Sequence, residues 1–181
     1  MIETIQTLNY FLALAGIGGI FVTIVLLIDF KGKRIFNSFV LLYGLVGAFL
    51  VVIGSSFLTL IYSEYFGIVP CGLCWLERVA LYPQVLLIAT AIYSKDKTMP
   101  KYGIVLSGVG LVVSLYHHYI QMGGSQFIKC PVAGAGADCA KRFFFEFNFM
   151  TFPLMSAILF AFLIVLYFYM LKAQKVLWST S

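Results

Sequence analysis

Five long apolar runs, at roughly 8–28, 39–62, 71–93, 102–120 and 152–171, constrain this chain more than anything else in it. A helix needs about 20 mostly apolar residues to cross a bilayer, and each run meets that length. Inside lipid no water is available to bond the backbone, so such runs satisfy their N–H and C=O groups internally, as helices. The rest of the chain cannot supply a water-facing surface. Only 10% of its 181 residues are charged and 62% are hydrophobic, whereas soluble domains carry about 25% charged residues. The expected fold is all-α, a polytopic membrane helical bundle, with "KGKRIFNS" and "SKDKTMPK" as short polar turns. There is no internal repeat, no low-complexity tract and no room for a soluble domain. The leader "MIETIQT" contains no Lys or Arg, so the first run does not read as an ordinary signal peptide.

The net charge of +5 matters through its placement and does not read as a nucleic-acid footprint. With five spans the loops alternate between two sides. One side collects Lys31, Lys33, Arg34, Lys95, Lys97, Lys101, Lys172 and Lys175; the other has Arg78, Lys129, Lys141 and Arg142. Lys and Arg concentrate in cytoplasmic loops. The richer side is therefore expected to be cytoplasmic, with the N-terminus outside and the C-terminus inside. All four cysteines then share the outer side, where disulfides persist. Four cysteines allow three pairings, and proximity in sequence favours Cys71–Cys74 and Cys130–Cys139.

Cys71 and Cys74 stand in "PCGLCWLER". Pro70 suits a helix start, which puts both cysteines in the first turn of the third helix. There the free N–H groups and the positive end of the helix dipole favour a thiolate. Arg78 follows at i+4 from Cys74 and i+7 from Cys71, so a helix sets all three on one face. Arg78 reads either as a snorkelling anchor at the membrane edge or as a charge that serves the sulfurs. The C-x-x-C on its face favours the second. Glu77 opposes the thiolate if its side chain is near and is neutral if it points away. A zinc half-site is the metal reading of C-x-x-C, but 55 residues separate Cys74 from the next cysteine, and no metal is expected. Trp75 stands where haem attachment requires histidine.

Cys130 and Cys139 flank "PVAGAGAD" in an outer loop over about 122–150. Its Gly- and Ala-rich first half has little to bury and is expected to be mobile. Its second half, "KRFFFEFNFM", reads either as a segment at the membrane interface or as a frayed start to the fifth helix. A bridge across so short a loop adds only about 2–3 kcal/mol, and a membrane bundle does not need that staple. The pair is better placed for exchange, in which a thiolate attacks a disulfide sulfur. Two couples, one of them at lipid level, make a relay, and a lipid-soluble two-electron acceptor is its natural end.

"CGLCWLER", then "YPQ", then a histidine before an outer loop with two cysteines, then "FMTFPLMS", resembles the bacterial disulfide-bond-formation protein B family. The shorter Gram-positive members, often called protein C, are most similar, through the compact C-x₈-C loop. Vitamin K epoxide reductase relatives place the loop pair before the C-x-x-C, the reverse of the order here. The resemblance covers roughly 36–171. It implies a dithiol:quinone oxidoreductase of the bacterial cell membrane, with a four-helix core. Such a protein takes electrons from a DsbA-like thioredoxin-fold thiol oxidase and passes them to ubiquinone or menaquinone. By this resemblance Cys130 meets the partner, Cys139 attacks Cys71, and Cys74 faces the quinone as a thiolate. Arg78 stabilises the negative charge there, and a histidine late in the fourth helix, His117 or His118, lies near the quinone. Residues 1–35 form an extra transmembrane helix with a basic loop, and 172–181 form a cytoplasmic tail. Two other readings stand beside this one: a conduit carrying thiol reductant outward, and a non-enzymatic scaffold stapled by disulfides. Pro83 and Pro153 read as helix kinks or starts.

Overall fold

The computed structural model describes residues 2–32, 36–127, 130 and 138–179. The expectations for Lys33, Arg34, Lys129 and the 131–137 tether lie outside the described residues. Five α-helices follow one another: α1 (Ile2–Lys31), α2 (Asn37–Leu60), α3 (Gly72–Ser94), α4 (Met99–Gln121) and α5 (Phe152–Ser179). All five are long and apolar enough to span a membrane, so the chain is a polytopic all-helical membrane protein. The helices outrun the apolar runs, because a helix continues into the polar interface wherever its backbone bonds can still form. One feature had no signal in the hydropathy pattern: α2 runs on as a π-helical turn, Ile61–Tyr65. Such turns recur at functional sites.

α5 is the hub. It packs on α1, α2 and α4, and the ring closes through α2 on α3 and α3 on α4. The shared core includes Val52, Ile88, Phe160, Leu163 and Tyr167. Lipid tails are as apolar as leucine, so helices associate in membranes by close packing and hydrogen bonding. Both are visible. Gly110 lies under the Phe160 ring, where an added Cβ would meet ring carbons at 2.4–2.6 Å, and Gly103 lies likewise under Tyr167. At mid-depth, Gln84 Oε1 accepts from Ser107 Oγ (3.3 Å) and Tyr167 OH (3.1 Å), joining α3, α4 and α5.

One end of the bundle gathers Lys31, Lys95, Lys97, Lys101 and Lys172. The other end holds the cysteines. There residues 140–151 are not helical. Glu146 and Met150 form a bridge around a tight turn whose central residues, Phe147 and Asn148, have φ of 53° and 62°. Two left-handed central residues define a hairpin turn that asparagine tolerates and phenylalanine does not favour. Phe144 points into the core beside Phe152, at 4.8 Å between ring centroids. The outward Phe143 and Phe145 carry the cations of Lys141 (4.7 Å) and Arg142 (4.6 Å). The segment is thus a folded turn ahead of α5 and not a frayed extension of it. Pro153 is in the first turn of α5, as a helix start requires, and Pro83 is inside α3.

Candidate functional site

α3 begins where Pro70 stops the preceding chain from being helical. Cys71 is the N-cap, with extended backbone (φ −74°, ψ 172°), one position further out than the first turn expected for it. Its Sγ accepts the backbone N–H of Cys74 at 3.4 Å. A sulfur here takes the place of the usual capping oxygen. The two are free thiols, Sγ to Sγ 2.9 Å, and not the disulfide that proximity in sequence favours.

α4 brings His117 to them. Its Nε2 lies 3.6 Å from Cys71 Sγ, and its Nδ1 lies 2.8 Å from Glu77 Oε1. An ionised carboxylate only accepts, so Nδ1 carries a proton; Nε2 accepts from the Cys71 thiol and donates to the sulfur once the thiol proton has moved to it. His117 is 1% exposed and Glu77 9%. A nucleophile, its base and a group orienting the base is a recurrent catalytic arrangement. The thiol of Cys71 is held below its ordinary value, first by the hydrogen bond from Cys74 and further by His117.

The neighbouring histidine serves elsewhere. His118 Nδ1 lies 2.8 Å from Thr151 Oγ1, which also accepts Leu154 N–H at the start of α5. Spacing alone left the two histidines equivalent; the bundle turns only His117 to the sulfurs.

Arg78 is 8% exposed. One guanidinium nitrogen donates to the Thr59 carbonyl at 2.9 Å, and Cζ sits 5.3 Å from the Trp75 ring centroid. It is a fixed, interior charge and does not snorkel to the surface. Tyr82, hydrogen-bonded to Thr59 Oγ1 at 2.8 Å, steadies that carbonyl's residue from α3. No sequence pattern marked Thr59, and Tyr82 stood in "YPQ" with no role assigned to it.

Cys130 and Cys139 form a disulfide. Cys139 is fully buried, and it packs in one cluster with Cys71, Leu73 and Ile120, with Cys74 and Cys130 at the margin. Gln121 Nε2 holds this segment by donating to the Lys141 carbonyl at 3.2 Å. Both couples are therefore seated together at one end of the bundle.

A cavity of about 550 Å³ opens beside the dithiol, bordered by Cys71, Cys74, Glu77, Arg78 and His117. That is within the size of small-molecule sites. From there it runs between α1, α2 and α5 to Val22, Val51 and Phe162, which are apolar. Cys71, Cys74 and His117 also place three donor atoms within 4.8 Å of one another, a set that suits a soft divalent ion. The disulfide packed alongside gives these sulfurs an exchange partner and favours redox chemistry over ligation.

Such a bundle, with a free dithiol and a disulfide in one cluster, defines a membrane thiol–disulfide exchange protein. Residues 37–170 match the family described as "Disulfide bond formation protein DsbB". The chain is 31% identical over 134 residues to the "Probable disulfide formation protein C 2" of Bacillus anthracis, covering 74% of this chain and 94% of that one. It is 36% identical over 143 residues to a "Probable disulfide formation protein" of Oceanobacillus iheyensis (78% and 94%). It is 31% identical over 140 residues to "Disulfide bond formation protein C" of Bacillus subtilis (77% and 97%). No solved structure matches. The chain belongs to the DsbB family of disulfide bond formation proteins, whose membership implies disulfide oxidation at a membrane.

Proposed function

We propose that the protein is a dithiol:quinone oxidoreductase that reoxidises a thioredoxin-fold thiol oxidase outside the cytoplasm. The observation that carries this is the seating of both cysteine couples in one cluster at the polar mouth of an elongated apolar slot. The mouth offers an oriented guanidinium and an imidazole, and the slot suits an isoprenoid-like tail, so the residues fit a quinone. Bound there, a quinone supplies a sink for two electrons and two protons.

The protein's own steps are thiol exchanges. A partner thiolate attacks Cys130 and releases Cys139 as a thiolate; the second partner thiol then closes the partner's disulfide and frees Cys130. Cys139 attacks the Cys71–Cys74 disulfide at Cys71, and Cys74 leaves as a thiolate. Cys130 attacks Cys139, which restores Cys130–Cys139 and leaves Cys71 and Cys74 reduced. His117 holds or returns the Cys71 proton at Nε2, and Arg78 stabilises negative charge at the mouth. The basic end of the bundle is cytoplasmic by the positive-inside rule, which sets the cysteine end outside.

Purified protein in lipid is mixed with reduced partner and a quinone, and quinone loss is followed by ultraviolet absorbance. Wild type should turn over, and Cys74→Ser should not. Turnover by Cys74→Ser would remove Cys74 from the acceptor step.

A further inference from the structure

α1 lies outside the family match, which starts at residue 37, yet it is fastened to the bundle at both ends. Near the cysteines, Asn9, itself buried, accepts the Tyr62 hydroxyl of the π-helical turn at 2.6 Å. At the far end, Tyr169 OH donates to Asp29, and Lys172 Nζ donates to the Phe30 carbonyl at 3.3 Å. Between these ties α1 lies close on α5. An added Cβ at Gly16 would meet Met155 Sδ at 2.4 Å, and one at Gly19 would meet Ile158 at 3.3 Å. A plain anchor needs neither buried polar ties nor small residues on its inner side. The opposite face is bulky and open, with Phe11, Phe21 and Ile28 each more than 60% exposed.

Leu12, Ala15, Gly19 and Val22 border the same cavity that reaches Cys71, Cys74 and Arg78. Their spacing puts them on one stripe of α1. At 1.5 Å per residue the stripe runs about 15 Å along the slot. The matching walls are α2 with its π-helical continuation, from Val51 to Ser63, and α5, from Phe152 to Phe162.

We propose that α1 is a wall of the acceptor site, and that its Leu12–Ala15–Gly19–Val22 stripe sets the bulk and seating of the polyprenyl quinone that the slot takes. This rests on the quinone reading above. The acceptor site of this chain is thus larger than the four-helix unit it shares with its family, and Ala15 and Gly19 are specificity-determining positions.

The test uses the full-length protein in lipid nanodiscs. First, quinone is added to the reduced wild type. Failure to oxidise Cys71 and Cys74 would overturn the quinone reading and this proposal with it. Given oxidation, an azido-quinone is photolysed in the site and the labelled peptides are mapped. Label on residues 12–22 supports the proposal; label confined to α2 through α5 overturns it while leaving the quinone reading intact. In parallel, Ala15→Phe fills the slot, and overpacking of this kind should raise the half-saturating quinone concentration about tenfold. The control Leu14→Phe alters a lipid-facing residue outside the cavity and should change nothing. A cooperative melting transition close to that of wild type in both variants checks folding. Equal quinone dependence in Ala15→Phe and Leu14→Phe would overturn the proposal.

Discussion

Replacing Glu77 by glutamine tests the electrostatics of the site with almost no change of shape. Glu77 Oε1 is 2.8 Å from His117 Nδ1, and His117 Nε2 is 3.6 Å from Cys71 Sγ. Glutamine keeps an acceptor oxygen for Nδ1–H but removes the negative charge. The neutral thiol–imidazole pair is unaffected in first order, whereas the thiolate–imidazolium pair loses its counter-charge. A hydrogen bond to a charged group contributes about 1.5–3 kcal/mol against roughly 0.5–1.5 for a neutral one. The difference, about 1–1.5 kcal/mol, corresponds to roughly one pH unit. The sign follows from Cys71, whose thiol is held low in the folded protein. Its thiolate is therefore favoured relative to a free cysteine and is lost as the pH falls through that depressed value. Glu77→Gln should move the midpoint of Cys71 alkylation upward by about one unit. Glu77→Ala should move it further, because it also strands a buried N–H. The assay is pulse alkylation of the reduced protein between pH 4 and 10, read by peptide mass spectrometry. Superimposable profiles for wild type, Glu77→Gln and Glu77→Ala would refute the Glu77–His117–Cys71 chain.

Other expectations follow from named contacts. Gly110→Ala should lower thermal stability by about 1–3 kcal/mol, because its Cβ cannot fit under Phe160. Gly108→Ala, with open space around it, should not. Arg78→Lys keeps the charge but loses the planar fork on Thr59, and quinone turnover should fall about tenfold while alkylation of Cys71 is retained. Asn9→Leu removes the acceptor for buried Tyr62; it should cost about 1–3 kcal/mol in the same melting assay.

The bundle was legible because lipid leaves the backbone no alternative to helices, so five apolar runs gave five spans. The dithiol and Arg78 were legible because i, i+3 and i+7 fall on one face of any helix. What the sequence withheld depends on rotation between helices. Whether His117 or His118 meets the sulfurs is decided by how α4 turns against α3, and adjacent residues differ by about 100° around a helix. Glu77 was left open for the same reason. The packing of Cys139 on Cys71 joins segments far apart in the chain, and no local pattern encodes it. The glycine-rich run suggested a loose tether, yet the Cys139 end is buried and tied by Gln121. The π-helical turn that sets Tyr62 against Asn9 has no hydropathy signature at all.

The most direct test of the account is a trapped bond between the two couples. In Cys130→Ser, with Cys71–Cys74 first oxidised by quinone, the Cys139 thiolate has a disulfide to attack and no Cys130 to carry the exchange forward. Peptide mapping after acid quenching should recover a Cys139–Cys71 disulfide with Cys74 as a free thiol. Recovery of Cys139 only as a free thiol beside an intact Cys71–Cys74 bond would contradict the account.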